Sequence, residues 1–110
     1  MRCSPVLDFI VAAALAIPPG AQPAVDAALA DAATRFSVQA AVVKVERVTW
    51  RDGSLGCPQP GMAATQALVP GWRLQLAAGE RSFDYHASEQ GRVVYCPPGR
   101  SKKPLPDSKT

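Results

Sequence analysis

The sequence predicts one α+β domain, in which an N-terminal helix packs on a three- to four-stranded antiparallel sheet with one disulfide. Three observations support this fold class. Apolar residues first recur with helical spacing, then alternate with a period of two, and two cysteines remain after a predicted signal peptide. A chain of 110 residues has room for one small domain and not for two.

The N-terminus has the features of a secretory signal peptide. Arg2 is followed by an apolar stretch over residues 6–17, which ends in the helix breakers Pro18-Pro19-Gly20. The stretch is too short to cross a bilayer, so we expect no transmembrane span in the mature chain. We predict a signal peptide over residues 1–23, a domain over 24–96, and a periplasmic or secreted location. The alternative is a buried N-terminal helix of the domain.

The first predicted element after the signal peptide is a helix. Its apolar stripe has the spacing i, i+4, i+7, i+11 and consists of Val25, Leu29, Ala32 and Phe36. Asp31 and Arg35 are four residues apart and can pair on the exposed side. The helical pattern ends near Ser37. This helix is the natural cover for the sheet that follows.

The segment from Val38 to Trp50 is rich in β-branched residues and predicts one long strand. Val43 and Val45 share a face, whereas Val48 and Trp50 have the opposite parity. Placing all four side chains in one core would require a bulge near Glu46.

Alternating residues after Pro70 predict a three-stranded meander. Its strands include residues 72–76, 82–87 and 92–96, with turns at 78–80 and 89–91. The half-polar faces are typical of a sheet covered on one side. We therefore expect His86, which has the polar parity, to be solvated, and both Trp50 and Trp72 to pack in the core or at its rim.

Two cysteines, Cys57 and Cys96, remain if Cys3 is removed with the signal peptide. A pair in an exported chain predicts a disulfide. Closing a loop of about 40 residues contributes about 4 kcal/mol in the chain-entropy model. A zinc site is the alternative, but with His86 the two cysteines supply only three ligands. We expect no metal and no cofactor.

Glycine and proline dominate the segment between the long strand and the meander. Such residues fix or permit unusual backbone angles, so we predict a rigid, shaped loop rather than a mobile one. The candidate binding residues in this loop are Asp52, Gly53, Ser54, Leu55, Gly56, Pro58, Pro60, Gly61 and Met62.

The same loop carries a resemblance to a known family. The chain contains Trp50, then Asp52-Gly53-Ser54-Leu55-Gly56-Cys57-Pro58, Pro60-Gly61, Thr65-Gln66-Ala67 and Pro70-Gly71. This pattern, W-x-D-G-S-L-G-C-P-x-P-G followed by T-Q-A-x-x-P-G, resembles a family of small exported bacterial domains of unknown function. The resemblance spans residues 49–96 and implies no activity, ligand or catalytic residue.

The distribution of charge excludes a basic face for nucleic acid. The formal net charge is +3, and the last eleven residues hold four cations against one aspartate. The rest of the chain is therefore neutral, and only 6% of residues are aromatic, which is few for stacking on bases. We predict that the basic, Pro-rich tail over residues 97–110 is disordered.

Catalysis is the weaker functional hypothesis. Ser54, His86 and either Asp52 or Asp84 are the residue types of a hydrolase triad, but the G-x-S-x-G pattern is missing. We predict a monomeric, non-catalytic binding or accessory domain, whose loop presents Leu55 or Met62 to an envelope or extracellular protein. The alternative is a protease inhibitor with Leu55 as its specificity residue.

Overall fold

The structure, a computed structural model, describes residues 17–105, which form one helix and four strands. These elements are α1 (Gln22–Phe36), β1 (Ala41–Trp50), β2 (Val69–Ala78), β3 (Arg81–Ser88) and β4 (Val93–Tyr95). The strands form one sheet in the order β1-β2-β3-β4, and every neighbouring pair is antiparallel. The predicted α+β class, with one helix on a four-stranded sheet, is confirmed.

Helix α1 packs closely on the sheet because its buried face is made mostly of small residues. These are Ala24, Val25, Ala28 and Ala32. Leu29 and Phe36 of the predicted stripe are only partly buried, at the margin of the same core, where Phe36 stacks on Phe83 with ring centroids 4.5 Å apart. The predicted Asp31–Arg35 ion pair is confirmed at 2.8 Å. Ser37 ends the helix in the left-handed conformation.

Strand β1 is shorter than predicted, and its irregularity lies elsewhere. It begins at Ala41 rather than Val38, and its register with β2 shifts between Val42 and Lys44. The bulge is therefore at Val43 and not near Glu46. No bulge is needed near Glu46, because Val48 and Trp50 do not join the helix-side core. They pack on the opposite face of the sheet with Leu55.

The sheet has a core on each face, contrary to the expectation that only one side is covered. Trp72, Leu74 and Tyr85 belong to the helix-side core. On the other face, the loop after β1 folds back and covers Val48 and Trp50. The two tryptophans are both buried, as expected, but they belong to opposite cores.

The packed domain extends beyond the predicted boundaries of residues 24 and 96. Ile17 packs against the helix-side core and Ala21 is buried, so residues 17–23 belong to the fold. Residues 97–105 of the predicted tail run along the domain, where the amides of Lys102 and Leu105 are hydrogen-bonded to the loop and to β1. The first sixteen residues of the predicted signal peptide, and residues 106–110 of the tail, lie outside the described part. No helix within residues 17–105 is long and apolar enough to cross a membrane.

Candidate functional site

Leu55 anchors the candidate loop from the inside. Its side chain is 0% exposed and packs with Val48 and Trp50. The residue adopts a left-handed backbone with φ of 57°, which turns the chain inward. The side chain of Leu55 is therefore not presented at the surface of this structure, because burying an apolar side chain against the sheet is more favourable than exposing it to water.

His86 joins the loop to the sheet. Its ring is 0% exposed and stacks on Trp50 with centroids 4.4 Å apart. The Nδ1 atom lies 2.6 Å from the carbonyl oxygen of Leu55, and Nε2 lies 3.1 Å from Oδ2 of Asp84. His86 has the polar parity, as predicted, but the expectation of a solvated ring is wrong because the loop covers this end of the face.

The contact with Leu55 fixes one hydrogen of the His86 ring on Nδ1. A carbonyl oxygen can only accept, so Nδ1 carries a hydrogen and donates to Leu55. The indole Nε1 of Trp50 likewise donates to the carbonyl of Ala87, 3.0 Å away. No buried side-chain nitrogen or oxygen in the described part of the chain lacks a hydrogen-bond partner. The core around Val48, Trp50 and Leu55, which we call the second core, therefore contains polar groups, and these groups are hydrogen-bonded within the protein.

The carboxylate of Asp84 contacts three side chains at the edge of this core. Its carboxylate accepts from Arg73 at 3.4 Å and from the Ser101 hydroxyl at 3.2 Å, and it faces Nε2 of His86. Partial burial acts to raise the pKa of Asp84, but the contacts with the His86 ring and the Arg73 guanidinium outweigh it and hold the pKa below the ordinary value of 3.8. Asp84 is therefore an ionised acceptor at neutral pH.

The lowered pKa of Asp84 predicts a loss of stability in acid. A carboxylate whose folded pKa is depressed stabilises the fold above its unfolded pKa, near 3.8, and this contribution disappears as the pH falls through the folded value. We expect Asp84→Asn to lower the free energy of unfolding by about 2 kcal/mol at pH 6. The cost should be clearly smaller at pH 3, where wild type has also lost part of the interaction.

Urea unfolding at the two pH values measures this difference. Asp26→Asn, on the exposed side of the helix, is the matched control for losing one carboxylate. An equal cost of Asp84→Asn at pH 6 and pH 3 would contradict the assignment of Asp84 as an ionised acceptor.

The candidate triad residues do not form a hydrolase triad. Ser54 donates its hydroxyl to Asp52 at 2.6 Å, which closes a local turn. The serine that meets His86 is Ser101, 3.4 Å from Nε2, on the same ring nitrogen that faces Asp84. A triad requires the acid and the nucleophile on opposite ring nitrogens. The other nitrogen of His86 is already bound to Leu55.

A shallow groove occupies the uncovered half of this sheet face. Its volume is about 420 Å³, and Lys44, Glu46, Arg73 and Asp84 are among its lining residues. Arg73 is engaged with Asp84. With charges of both signs side by side, the groove has no clear preference for an anion or a cation.

The predicted pair Cys57–Cys96 forms the disulfide, with Cα atoms 5.7 Å apart. Each cysteine is buried and begins a Pro-rich segment, Cys57 to Gly61 and Cys96 to Gly99. The disulfide therefore places the two segments side by side. They line a shallow surface cleft, which we call the proline cleft: Pro58, Gln59, Pro60, Pro97, Pro98, Gly99 and Arg100.

The predicted loop residues divide into an inner and an outer group. Leu55 is buried, and the half-buried residues are Asp52, Gly53, Ser54 and Gly56. The exposed residues are Pro58, Pro60, Gly61 and Met62, of which Met62 is 69% exposed. The outer group is therefore more accessible to a partner than the inner group.

Sequence reasoning missed the second half of this surface. The repeated Cys-Pro motif, at Cys57-Pro58 and Cys96-Pro97, was the available signal. Once a disulfide is assumed, two such motifs must lie next to each other. Because all residues after Cys96 were predicted to be a disordered tail, the second Cys-Pro motif was not included in the candidate binding surface.

Residues 97–105 form what we call the C-terminal strap. The amide of Lys102 donates to the carbonyl of Gly56 at 2.8 Å, and the amide of Leu105 donates to Thr49 at 3.0 Å. As the strap advances from 102 to 105, its partners run backwards from 56 to 49, so it lies antiparallel to the start of the loop. These main-chain bonds are the reason that this part of the tail is ordered.

Comparison with known proteins places the domain in a family. A family described as a domain of unknown function, DUF8738, matches residues 25–96. The chain belongs to this family. The DUF8738 match runs from the helix to the second cysteine of the disulfide and ends where the strap begins. No curated protein and no solved structure matches the chain.

Proposed function

We propose that this chain is a non-catalytic, exported domain that binds an envelope or extracellular protein through the proline cleft. One observation carries the proposal: the disulfide holds two exposed Pro-rich segments together above a core that fixes them from behind. Leu55 and His86 provide that fixation, since both are completely buried and hydrogen-bonded to each other.

A surface of this kind loses little entropy when it binds. Proline rings have a fixed φ, and the disulfide limits the remaining freedom of both segments. Ordering a mobile side chain on binding costs about 0.5–1.5 kcal/mol, a cost that these rings avoid. Proline-rich surfaces dock well against aromatic side chains, so we propose a partner that inserts aromatic or other apolar groups between the rings.

We also propose a more specific family for this domain, namely the small exported bacterial domains with the W-x-D-G-S-L-G-C-P-x-P-G signature. The structure gives the signature a physical role that supports this. Trp50 and Leu55 are buried together in the second core, Cys57 is also buried, and Gly56 lies against the Trp50 ring. The signature residues thus build the support of the proline cleft.

Export also requires a cleavage site that leaves the fold intact. Cleavage near residues 21–24 would remove Ala21, which is buried, and the start of the helix. Ala14-Leu15-Ala16 has the small-x-small pattern that signal peptidases favour, and it directly precedes Ile17. We expect the mature chain to begin at Ile17. Intact mass and N-terminal sequencing of exported protein measure this, and a start at Ala24 or later would contradict it.

Site-specific photo-crosslinking in the producing cell tests the binding surface. A photoreactive residue at Gln59 lies in the proline cleft, and one at Ala30 lies on the exposed side of the helix as a matched control. We expect a discrete crosslinked protein from Gln59 and none from Ala30. The double variant Pro58→Ala/Pro60→Ala should reduce the yield about tenfold while melting within a few degrees of wild type.

The opposite pattern would contradict the proposal. A discrete product from Ala30 and none from Gln59 would move the binding surface to the helix. A product from Gln59 that is unaffected by the two proline substitutions would show that the cleft lies near the interface without contributing to it.

A further inference from the structure

We infer that the C-terminal strap is a docking site for a linear, phosphate-bearing polyanion. The inference concerns residues 101–105 of the strap, beyond the residues that line the proposed protein-binding cleft. It rests on three exposed cations, none of which forms an ion pair within residues 17–105. Lys102 and Lys103 lie on the strap, and Arg51 lies on the segment to which the strap is hydrogen-bonded.

The strap is held by main-chain hydrogen bonds and by the Ser101 hydroxyl, and not by its lysine side chains. Lys102 bonds to Gly56 through its amide, and Leu105 bonds to Thr49 in the same way. The side chains of Lys102 and Lys103 are exposed and take no part in these bonds. Arg51 is also exposed, and it lies between Thr49 and Gly56, the two residues to which the strap is hydrogen-bonded. The backbone is thus ordered while the charges stay available.

Most other arginines of the described chain are already engaged. Arg35, Arg47 and Arg73 pair with carboxylates. Arg81 lies over the rings of Phe36 and Phe83, and Arg92 donates to the carbonyl of Gly53. The carboxylate nearest in sequence to Arg51 is Asp52, which accepts hydrogen bonds from Ser54. Within residues 17–105, no carboxylate forms an ion pair with Arg51, Lys102 or Lys103.

The shape of the site favours a soluble polymer over a membrane. Membrane surfaces hold proteins through cations together with inserted apolar side chains. The exposed large apolar residues of the described chain are Val43, Met62 and Leu68, and none of them belongs to the strap. The strap also has no aromatic residue on which bases could stack. The strap therefore presents cations along an extended segment, with neither exposed large apolar side chains nor aromatic rings. This arrangement suits a polymer of closely spaced phosphates.

Binding of inorganic polyphosphate of about 45 units, followed by fluorescence anisotropy at several salt concentrations, tests the inference. Neutralising each phosphate contact adds a little under one to the slope of log K against log salt. The triple variant Arg51→Gln/Lys102→Gln/Lys103→Gln should bind at least about tenfold more weakly and with a slope lower by about two.

The matched control removes the same charge elsewhere. Arg81, exposed at the start of β3, gives Arg81→Gln, which has the same net charge as Lys103→Gln. We expect Lys103→Gln to weaken binding several-fold and Arg81→Gln to leave it unchanged. Because the strap is held by main-chain bonds, all these variants should melt within a few degrees of wild type, and the single variant remains informative if the triple variant does not.

Four results would overturn the inference. Equal losses from Lys103→Gln and Arg81→Gln would show a net-charge effect alone. Monophosphate competing as well as the polymer at equal phosphate would show a single-anion contact. Tighter binding to an oligodeoxynucleotide of equal charge, or to phosphatidylglycerol vesicles, would assign the strap to nucleic acid or membrane. Crosslinking from Gln59 should be unaffected by Lys103→Gln, so failure of one proposal does not imply failure of the other.

Discussion

Replacing Cys57 and Cys96 together by Ser is expected to lower the free energy of unfolding by about 4 kcal/mol. The disulfide closes a loop with a sequence separation of 39, and the chain-entropy model assigns about this amount to such a loop. The loss is large for a domain of this size, because small domains have only about 5–15 kcal/mol in total. We also expect the proline cleft to lose its form, since its two segments would no longer be joined.

Chemical unfolding of the oxidised protein, of the reduced protein and of the double Ser variant measures this contribution. The reduced protein and the Ser variant should agree, because both lack the same constraint. If the Ser variant were as stable as oxidised wild type, the disulfide would not restrict the unfolded chain. The proposed rigidity of the proline cleft would then also lose its main support.

Gly56→Ala is expected to cost about 3 kcal/mol, whereas Gly61→Ala should cost about 1 kcal/mol. Both glycines have a positive φ, 70° at Gly56 and 77° at Gly61, so both substitutions carry the same backbone strain. They differ in their surroundings. A Cβ atom at Gly56 would lie 2.5 Å from the Trp50 ring and 2.8 Å from the carbonyl of Lys102, whereas one at Gly61 meets nothing within 4 Å. The additional cost comes from forced displacement in a packed core.

The comparison of these two variants separates the cost of disturbed packing from the cost of backbone strain. Urea unfolding of both, under the same conditions, measures the difference. Similar costs for Gly56→Ala and Gly61→Ala would mean that the contact between the loop, Trp50 and the strap is loose. Gly56→Ala should additionally weaken polyphosphate binding, because its Cβ would displace the carbonyl of Lys102, whereas Gly61→Ala should not.

The sequence by itself determined the local features of this protein. The period of the apolar pattern indicated the helix and the strands, because each element buries one face with its own repeat. Turn residues such as Gly79 fixed the hairpin, and the cysteine count fixed the disulfide pair. The Asp31–Arg35 pair followed from helical spacing alone. All of these depend on neighbours in sequence or on a pair with no competing partner.

The tertiary structure decided which of the remaining surfaces is covered. Alternation correctly placed His86 on the polar face, but a period of two cannot say whether a distant loop lies over that face. The loop does so through Leu55, which turned two expected surface residues into core residues. The strap is ordered for the same kind of reason: its amides find carbonyls at Gly56 and Thr49, about 50 residues away in sequence. The charge and proline content of the tail predicted a disordered segment. Composition contains no information about hydrogen-bond partners that are distant in sequence.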